Sequence, residues 1–506
     1  MTAPADRIVT NVEGHTLTEP DETFEAVAIR DGRIVRVGRA EEVRFLEGVE
    51  TGTHDFDGAT LLPGFVDAHT HMDILGRRQV ETDLGDASGP REAVSRLQVG
   101  AEDDGWILGF GYDESTWEAS RYLTREDLDR VSDDRPVAAF REDLHVVSVN
   151  GVALDRLEAD LPDEGVRTEG GEPTGVLVES ALEAVTDAIA PDADQTREYL
   201  RAAQSVALDR GVTAVHDMIR NRHVPGVYRE LDLADELDLR VRLNYWADFL
   251  DALEATGART NHGSDRVETG AIKTYTDGSI GGRTAKLSRP YADADTDGTW
   301  VRDPDDLAVL AERVADGGFQ MAAHAIGDAA IEAVLDAYVD IEGGRHRIEH
   351  AELLTDEAIE RLADAGTVVS AQPNFHRWAR PNGLYETALG PERRARTNRF
   401  AALRDAGVRL AFGSDCMPLD PLFGVRQAVT APESSQRLSV TEALRAYTLG
   451  GAYAGFDEDR LGTVEPGKRA DLVALAESPW EVPDAVIDDI DVVATLVGGE
   501  IVADSR

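Results

Sequence analysis

Short apolar segments alternating with helical patterns fill the centre of this 506-residue chain, and they constrain its fold more than any other feature. Eight segments read as strands: 61–69, 211–217, 239–246, 268–275, 318–324, 345–350, 366–372 and 407–413. Helical periodicity follows most of them, at 226–237, 248–257, 304–316, 327–341, 355–365, 391–406 and 439–453. Near-continuous apolar strands joined by helices build a parallel sheet covered on both faces. Eight such units predict an α/β fold, a (β/α)8 TIM-like barrel, with a doubly wound open sheet as the alternative. The gap between the first two strands is too long for one crossover, so residues 75–185 are expected to form an insertion with its own structure. The two ends read differently. Residues 26–30 and 33–37 flank Asp31-Gly32 as a hairpin would, and 470–475, 492–497 and 500–502 are also strand-like. The ends thus predict one composite β-sandwich domain, 1–60 plus 455–506, around a barrel domain of 61–454.

Charge bounds the partners. The chain carries 97 acidic and 51 basic residues, a net charge of −46, and only Lys273, Lys286 and Lys468 among the basic residues are lysines. The acids are dispersed, which argues against a disordered acidic tail. A hydrated carboxylate surface almost without lysine resembles that of cytosolic proteins from salt-in halophilic archaea. It disfavours nucleic acid and anionic membranes as partners. A single cysteine, Cys416, leaves no intramolecular disulfide and fits a reducing cytosol. The polar N-terminal residues have no apolar signal core, and no stretch approaches a membrane span. A cytoplasmic protein is expected, with a homodimer as the open oligomeric expectation.

In a barrel, chemistry gathers at the C-terminal ends of the strands. The first strand runs into Pro63-Gly64-Phe65-Val66-Asp67-Ala68-His69-Thr70-His71. Side chains two apart on a strand share a face, so His69 and His71 can address one metal ion. The other strand ends supply Lys273, His324, His350 and Asp415. Lys273 is the most informative. An ammonium in an apolar strand is costly, and its survival where arginine supplies nearly all other basic residues implies a need for a primary amine. A neutral lysine amine can add CO2 and become a carbamate able to bridge two metal ions. The alternatives are plain: Lys273 pointing outward between barrel and helices, and Asp415 as a helix N-cap. His216 is a weaker candidate for a substrate contact. His346 and Cys416 read as packing residues.

These residues lie in motifs with a family resemblance. PGFVDAHTH (63–71), AIKTYTDGSIGGRTA (271–285), MAAHAIGDAA (321–330), RIEHAE (347–352) and FGSD (412–415) resemble the amidohydrolase superfamily. With GFGYDESTW (109–117), LDRVSDDRPV (128–137), GEPTGVLVESA (171–181) and LGTVEPGKRADLVAL (461–475), nearly the whole chain is similar to the amidohydrolase-3 subgroup. That subgroup comprises YtcJ-like metal-dependent hydrolases and includes N-substituted formamide deformylases. The resemblance implies one or two divalent ions, zinc by expectation. His69 and His71 would hold the first, His324 and His350 the second, and carboxylated Lys273 would bridge them. Asp415 would touch the first ion and carry protons. It further implies a small-molecule substrate with a non-peptide carbon–nitrogen bond, an amide or N-formyl group, hydrolysed by metal-activated water. A cyclic amide, a deaminase substrate or an ester would suit the same residues. His145, Asp113, Trp117, Arg283 and Trp378 are candidate substrate contacts. Where many relatives have Trp-Pro after the Ser-Asp, this chain has Cys416-Met417-Pro418. A non-catalytic scaffold on the same fold would show eroded ligands, and none of the six is missing.

The carboxylate surface generates a first prediction. Its self-repulsion is screened only when the Debye length is short, about 3 Å at 1 M salt. The melting temperature, followed by circular dichroism, is therefore expected to rise between dilute buffer and molar KCl; an unchanged value rejects the reading.

Overall fold

Eight strands form the central sheet of the computed structural model, which describes residues 3–506 apart from 101–104, 143–145, 163, 164, 179, 340 and 342. They are β1 (Phe65–Thr70), β2 (Val212–Ile219), β3 (Arg240–Trp246), β4 (Val267–Tyr275), β5 (Gln320–Ala325), β6 (Arg347–His350), β7 (Val368–Ala371) and β8 (Leu410–Phe412). Each is parallel to its neighbour in chain order. Every residue of β1, β2, β3, β5, β6 and β7 is buried, as a sheet covered on both faces requires. The order makes a nearly closed TIM-like barrel. Side chain and backbone bring its open edge together: the Ser414 N–H donates to Asp67 Oδ1 (3.0 Å) and the Asp415 N–H to the His69 carbonyl (2.7 Å). Gly413 allows this approach, because a Cβ there would lie 2.4 Å from the His69 nitrogen.

The crossover helices start where the sequence supplies caps. Asp303 accepts from the Asp305 N–H ahead of Pro304–Asp316, and Thr355 accepts from the Ala358 N–H ahead of Asp356–Ala365. Two segments break where the sequence reads them as continuous. Residues 61–69 divide at Gly64, whose N–H donates to the Asp471 carbonyl (2.8 Å). Thr60–Pro63 then pairs with Leu472–Leu475, and only Phe65–Thr70 enters the barrel. The 391–406 helix is two, Pro391–Arg394 and Phe400–Asp405, interrupted by the left-handed backbone at Asn398 (φ 50°).

Strands Arg7–His15, Thr23–Arg30, Arg33–Gly38, Gly52–Asp55 and Thr60–Pro63 join Leu472–Leu475, Val492–Val497 and Glu500–Asp504 in one eight-stranded sheet. Val9, Val27 and Leu61 from one end meet Leu472, Ala474 and Leu496 from the other in one apolar cluster. This sheet and the barrel belong to one compact unit, residues 1–71 with 204–506. Residues 72–203 form a second. Its six-stranded sheet contains Ile107–Tyr112 and Val137–Arg141, where Phe110 stacks on Phe140 at 4.8 Å. The unit runs beyond the 75–185 span read from sequence because Tyr199, on the helix that follows, donates to Glu81 (2.6 Å). Among the described residues, no helix is long and apolar enough to cross a membrane.

A buried ion pair ties β3 to the terminal sheet. Arg240 Nε and Nη2 donate to Asp471 (2.5 and 3.0 Å), whose Oδ1 also accepts from the Gly498 N–H (2.7 Å). Removing one partner of such a pair leaves a buried charge uncompensated. Asp471→Ala is expected to destabilise the first unit by about 3 kcal/mol in urea unfolding; a loss below about 1 kcal/mol would mean that Asp265, the other partner of Arg240, suffices.

Candidate metal centre

Strand β6 organises the barrel interior. Arg347 and Glu349 alternate onto its inner face, and both are fully buried. Arg347 donates to Glu349 through Nε (2.6 Å) and Nη2 (2.9 Å). It also reaches the Ala68 carbonyl (2.6 Å), Ser370 Oγ (2.9 Å) and His216 Nδ1 (2.8 Å). Burial alone would raise the Glu349 pKa, but Arg347 and then Lys273 overcome it and hold the group ionised below its ordinary value. A carboxylate accepts, so His69 Nδ1, 2.6 Å from Glu349 Oε2, is the donor. His69 Nε2 is thereby left as a lone pair directed inward.

His350 lies next along the same strand, and simple alternation would turn it outward. A left-handed backbone at His350 (φ 73°) and Ala351 (φ 48°) ends the strand and redirects the ring. Its Nδ1 lies 2.6 Å from Gln372 Oε1, and Phe375 stacks parallel to it at 6.0 Å. Asp415 is placed in the same manner, with φ 52° and its N–H held by the His69 carbonyl. Burial would raise its pKa; the His71 hydrogen bond and nearby positive charge hold it below the usual value. Its Oδ1 is 3.3 Å from His71 Nε2 and 3.7 Å from His69 Nε2.

Lys273 Nζ approaches His69 Nε2 to 3.5 Å. It is fully buried, with no carboxylate within ion-pair distance among the described residues. Burial pushes its ammonium down to about 8. On β5, His324 packs against His350 with ring centres 4.5 Å apart. Its Nε2 contacts the Gly278 carbonyl (3.0 Å), while its Nδ1 is buried with no hydrogen-bond partner. Burial first, then neighbouring cationic groups, lowers His69, His324 and His350 well below the usual imidazole range, so all three are neutral.

The structure therefore brings His69, His71, Lys273, His324, His350 and Asp415 to one end of the barrel. His69, His350 and Asp415 each offer a ligand atom, all within 4.8 Å of one another. Neutral imidazoles with one nitrogen anchored and one free, beside an ionised carboxylate, suit a divalent cation. The unpartnered His324 Nδ1 fits the same purpose.

The remaining candidates are dispersed. Trp378 is half-buried and packs at a tilt against Phe375, ring centres 5.0 Å apart, one ring away from His350. Arg283 is braced within its own loop by Asp293 (3.0 and 2.5 Å) and the Gly281 carbonyl (2.6 Å). In the second unit, Trp117 is buried and donates to the Ala87 carbonyl (2.6 Å), while Asp113 pairs with Arg141 at 3.5 Å. His145 lies outside the described residues. His216 accepts from Arg347 at the barrel core, and His346 accepts from the Met321 N–H (3.0 Å). Buried Cys416 donates its N–H to Ser414 Oγ (3.1 Å).

The family model for the amidohydrolase family, Amidohydro_3, matches residues 52–503. The chain belongs to the amidohydrolase family. It is 32% identical to the putative amidohydrolase YtcJ of Bacillus subtilis, over 96% of this chain and 97% of that protein. It is 27% identical to an N-substituted formamide deformylase of Arthrobacter pascens, over 99% and 98%. Among solved structures, an uncharacterized metal-dependent hydrolase from Pyrococcus furiosus superposes with a TM-score of 0.83 at 31% identity, covering 94% of this amidohydrolase and all of that chain.

Sequence reasoning missed the supports of this amidohydrolase site: Arg347, Glu349, Gln372 and Asp67. One signal was present, since the charged pair Arg347 and Glu349 in an otherwise apolar strand shares a face and has to be paired when buried. If Glu349 sets the His69 tautomer, Glu349→Gln should weaken divalent-metal affinity by about 10–100-fold in a chelator competition while the protein stays folded. Unchanged affinity would reduce Glu349 to a partner of Arg347 alone.

Proposed function

We propose that this chain is a metal-dependent hydrolase of a non-peptide carbon–nitrogen bond, an amide or N-formyl group in a small molecule. The observation that carries this reading is the convergence of His69, His350 and Asp415, with the outer nitrogens of both histidines already anchored. His69 and His71 would hold one divalent ion, zinc by its preference for imidazole and carboxylate, and His324 and His350 a second. Such an ion, when bound, supplies Lewis acidity toward a carbonyl and lowers the pKa of water.

The chain's own groups do the rest. Asp415, held ionised, is the base that takes a proton from the attacking water and returns it to the leaving nitrogen. Glu349 and Gln372 keep His69 and His350 from turning. Lys273 is the candidate for carboxylation. Its neutral amine would add to CO2 and release a proton, giving an N-carboxylate in place of an ammonium that, among the described residues, has no carboxylate within ion-pair distance. A pKa of about 8 gives the amine an appreciable neutral fraction near neutral pH. The likeness to the formamide deformylase favours an N-formyl or simple amide substrate.

Metal per chain, measured by plasma mass spectrometry on untagged protein prepared in molar KCl, is expected at one to two equivalents. No metal after incubation with zinc and bicarbonate sinks the proposal. Lys273→Arg should abolish hydrolysis although it keeps the charge, because a guanidinium does not form this carbamate; near-normal turnover would remove the carbamate from the account. Asp415→Asn is expected to lower kcat by about 10²–10⁴-fold while metal is retained. Loss of metal instead would make Asp415 chiefly a ligand.

A further inference from the structure

Trp246, the last residue of β3, pairs in register with Lys273 on β4. Ile219, the last residue of β2, pairs with Tyr245. Arg220 therefore leaves β2 level with Trp246, on the same end of the barrel as the metal-ligand cluster. Its guanidinium carbon lies 4.6 Å from the centre of the Trp246 ring, and Lys273 Nζ lies 5.7 Å from that same ring. Together these distances keep Arg220 within a small molecule's reach of the donor cluster.

Arg220 differs from arginines elsewhere in the barrel. Arg240, Arg242, Arg345 and Arg347 are each paired with carboxylates. Arg220 is exposed and, among the described residues, has neither hydrogen-bond nor ion-pair partner. In a chain with 97 acidic residues, a guanidinium at the barrel mouth without a carboxylate is open to an anion from outside. Its position over the indole restrains the guanidinium by a cation–π contact and leaves its N–H fork for two-point binding of a carboxylate. The net charge of −46 repels anions at long range, so recognition has to come from contact. An aromatic wall stands nearby: Tyr275 lies 4.4 Å from the His324 ring, and Phe375 stacks on His350.

We propose that Arg220 is the specificity-determining residue of this site, and that the substrate is an amide or N-formyl compound carrying a carboxylate and an apolar side group. This rests on the hydrolase reading above. The test pairs a panel of N-formyl amino acids with the matching N-formyl amines, which differ only in lacking the carboxylate. Wild-type protein should favour the carboxylate members in kcat/KM. Arg220→Gln should reduce that preference by about 10–100-fold, chiefly through KM, and Arg220→Lys should restore it in part. Equal turnover of both sets by wild type, or a preference that survives Arg220→Gln, overturns the assignment while leaving the hydrolase reading intact. Calorimetric binding of the same panel to the Asp415→Asn protein separates the two ideas. Carboxylate-selective binding that needs Arg220, without hydrolysis by wild type, would keep the assignment and reject the hydrolase. No binding of either set rejects the assignment.

Discussion

The buried contact on which the site depends is that between Glu349 and Arg347. Two opposite charges lie at the centre of the barrel, and each is satisfied on several sides. Glu349 is held ionised chiefly by Arg347 and then by Lys273, and Arg347 is tolerated because Glu349, Ala68, Ser370 and His216 accept its protons. Buried pairs of this kind add little net stability, because desolvation offsets most of the attraction. What they supply is orientation. The Glu349 carboxylate fixes which nitrogen of His69 carries the proton, and hence which one is free. The contacts to Ala68 and Ser370 also tie β6 to β1 and β7, so the pair that sets the ligand holds the wall around it.

A second constraint comes from the strand ends. His350, Ala351, Asp415 and Cys416 all have left-handed backbone although none is glycine. Each such residue costs of order 1–2 kcal/mol and persists only where its surroundings hold it. Here the holders are visible: Gln372 on the His350 ring and the His69 carbonyl on the Asp415 N–H. The gain is directional. A strand that alternates offers only every second side chain to the interior, whereas a left-handed turn at its last residue lets Glu349 and His350, adjacent in sequence, both serve one site.

These two features explain what could be read from the sequence. The barrel was legible because its strands are apolar throughout and its helices amphipathic, so each element carries its own signal. His69 was legible because an apolar strand runs into it, whereas the shared face expected for His71 was not, since β1 ends at Thr70 and its register shifts between Asp67 and Thr70. Lys273 stood out because a lysine is conspicuous in an apolar strand of an arginine-rich chain. The division of 61–69 at Gly64 was not legible, since one apolar run there serves two sheets and only the partner of the Gly64 N–H reveals the break. The placement of His350 escaped alternation because its direction is set by a backbone turn that carries no residue signature. Gln372 was invisible for a related reason: an amide becomes a positioning group only once the histidine it holds is known.

Charge has two distinct roles in this chain, and arginine and lysine divide them. Arginine remains cationic in any environment of a protein, so it suits the buried pairs of Arg240, Arg242 and Arg347, where a lost proton would leave a carboxylate alone. Lysine gives up its proton when buried, which makes it a poor structural partner and a good reactive one. Lys273 occupies a place where a permanent cation would sit against His69 and repel any divalent ion. Under the hydrolase proposal, a group able to become neutral, and then anionic through CO2, would remove that repulsion and reverse its sign. The surface of the chain excludes lysine almost completely, yet the interior retains one at the point where the ability to lose charge matters most.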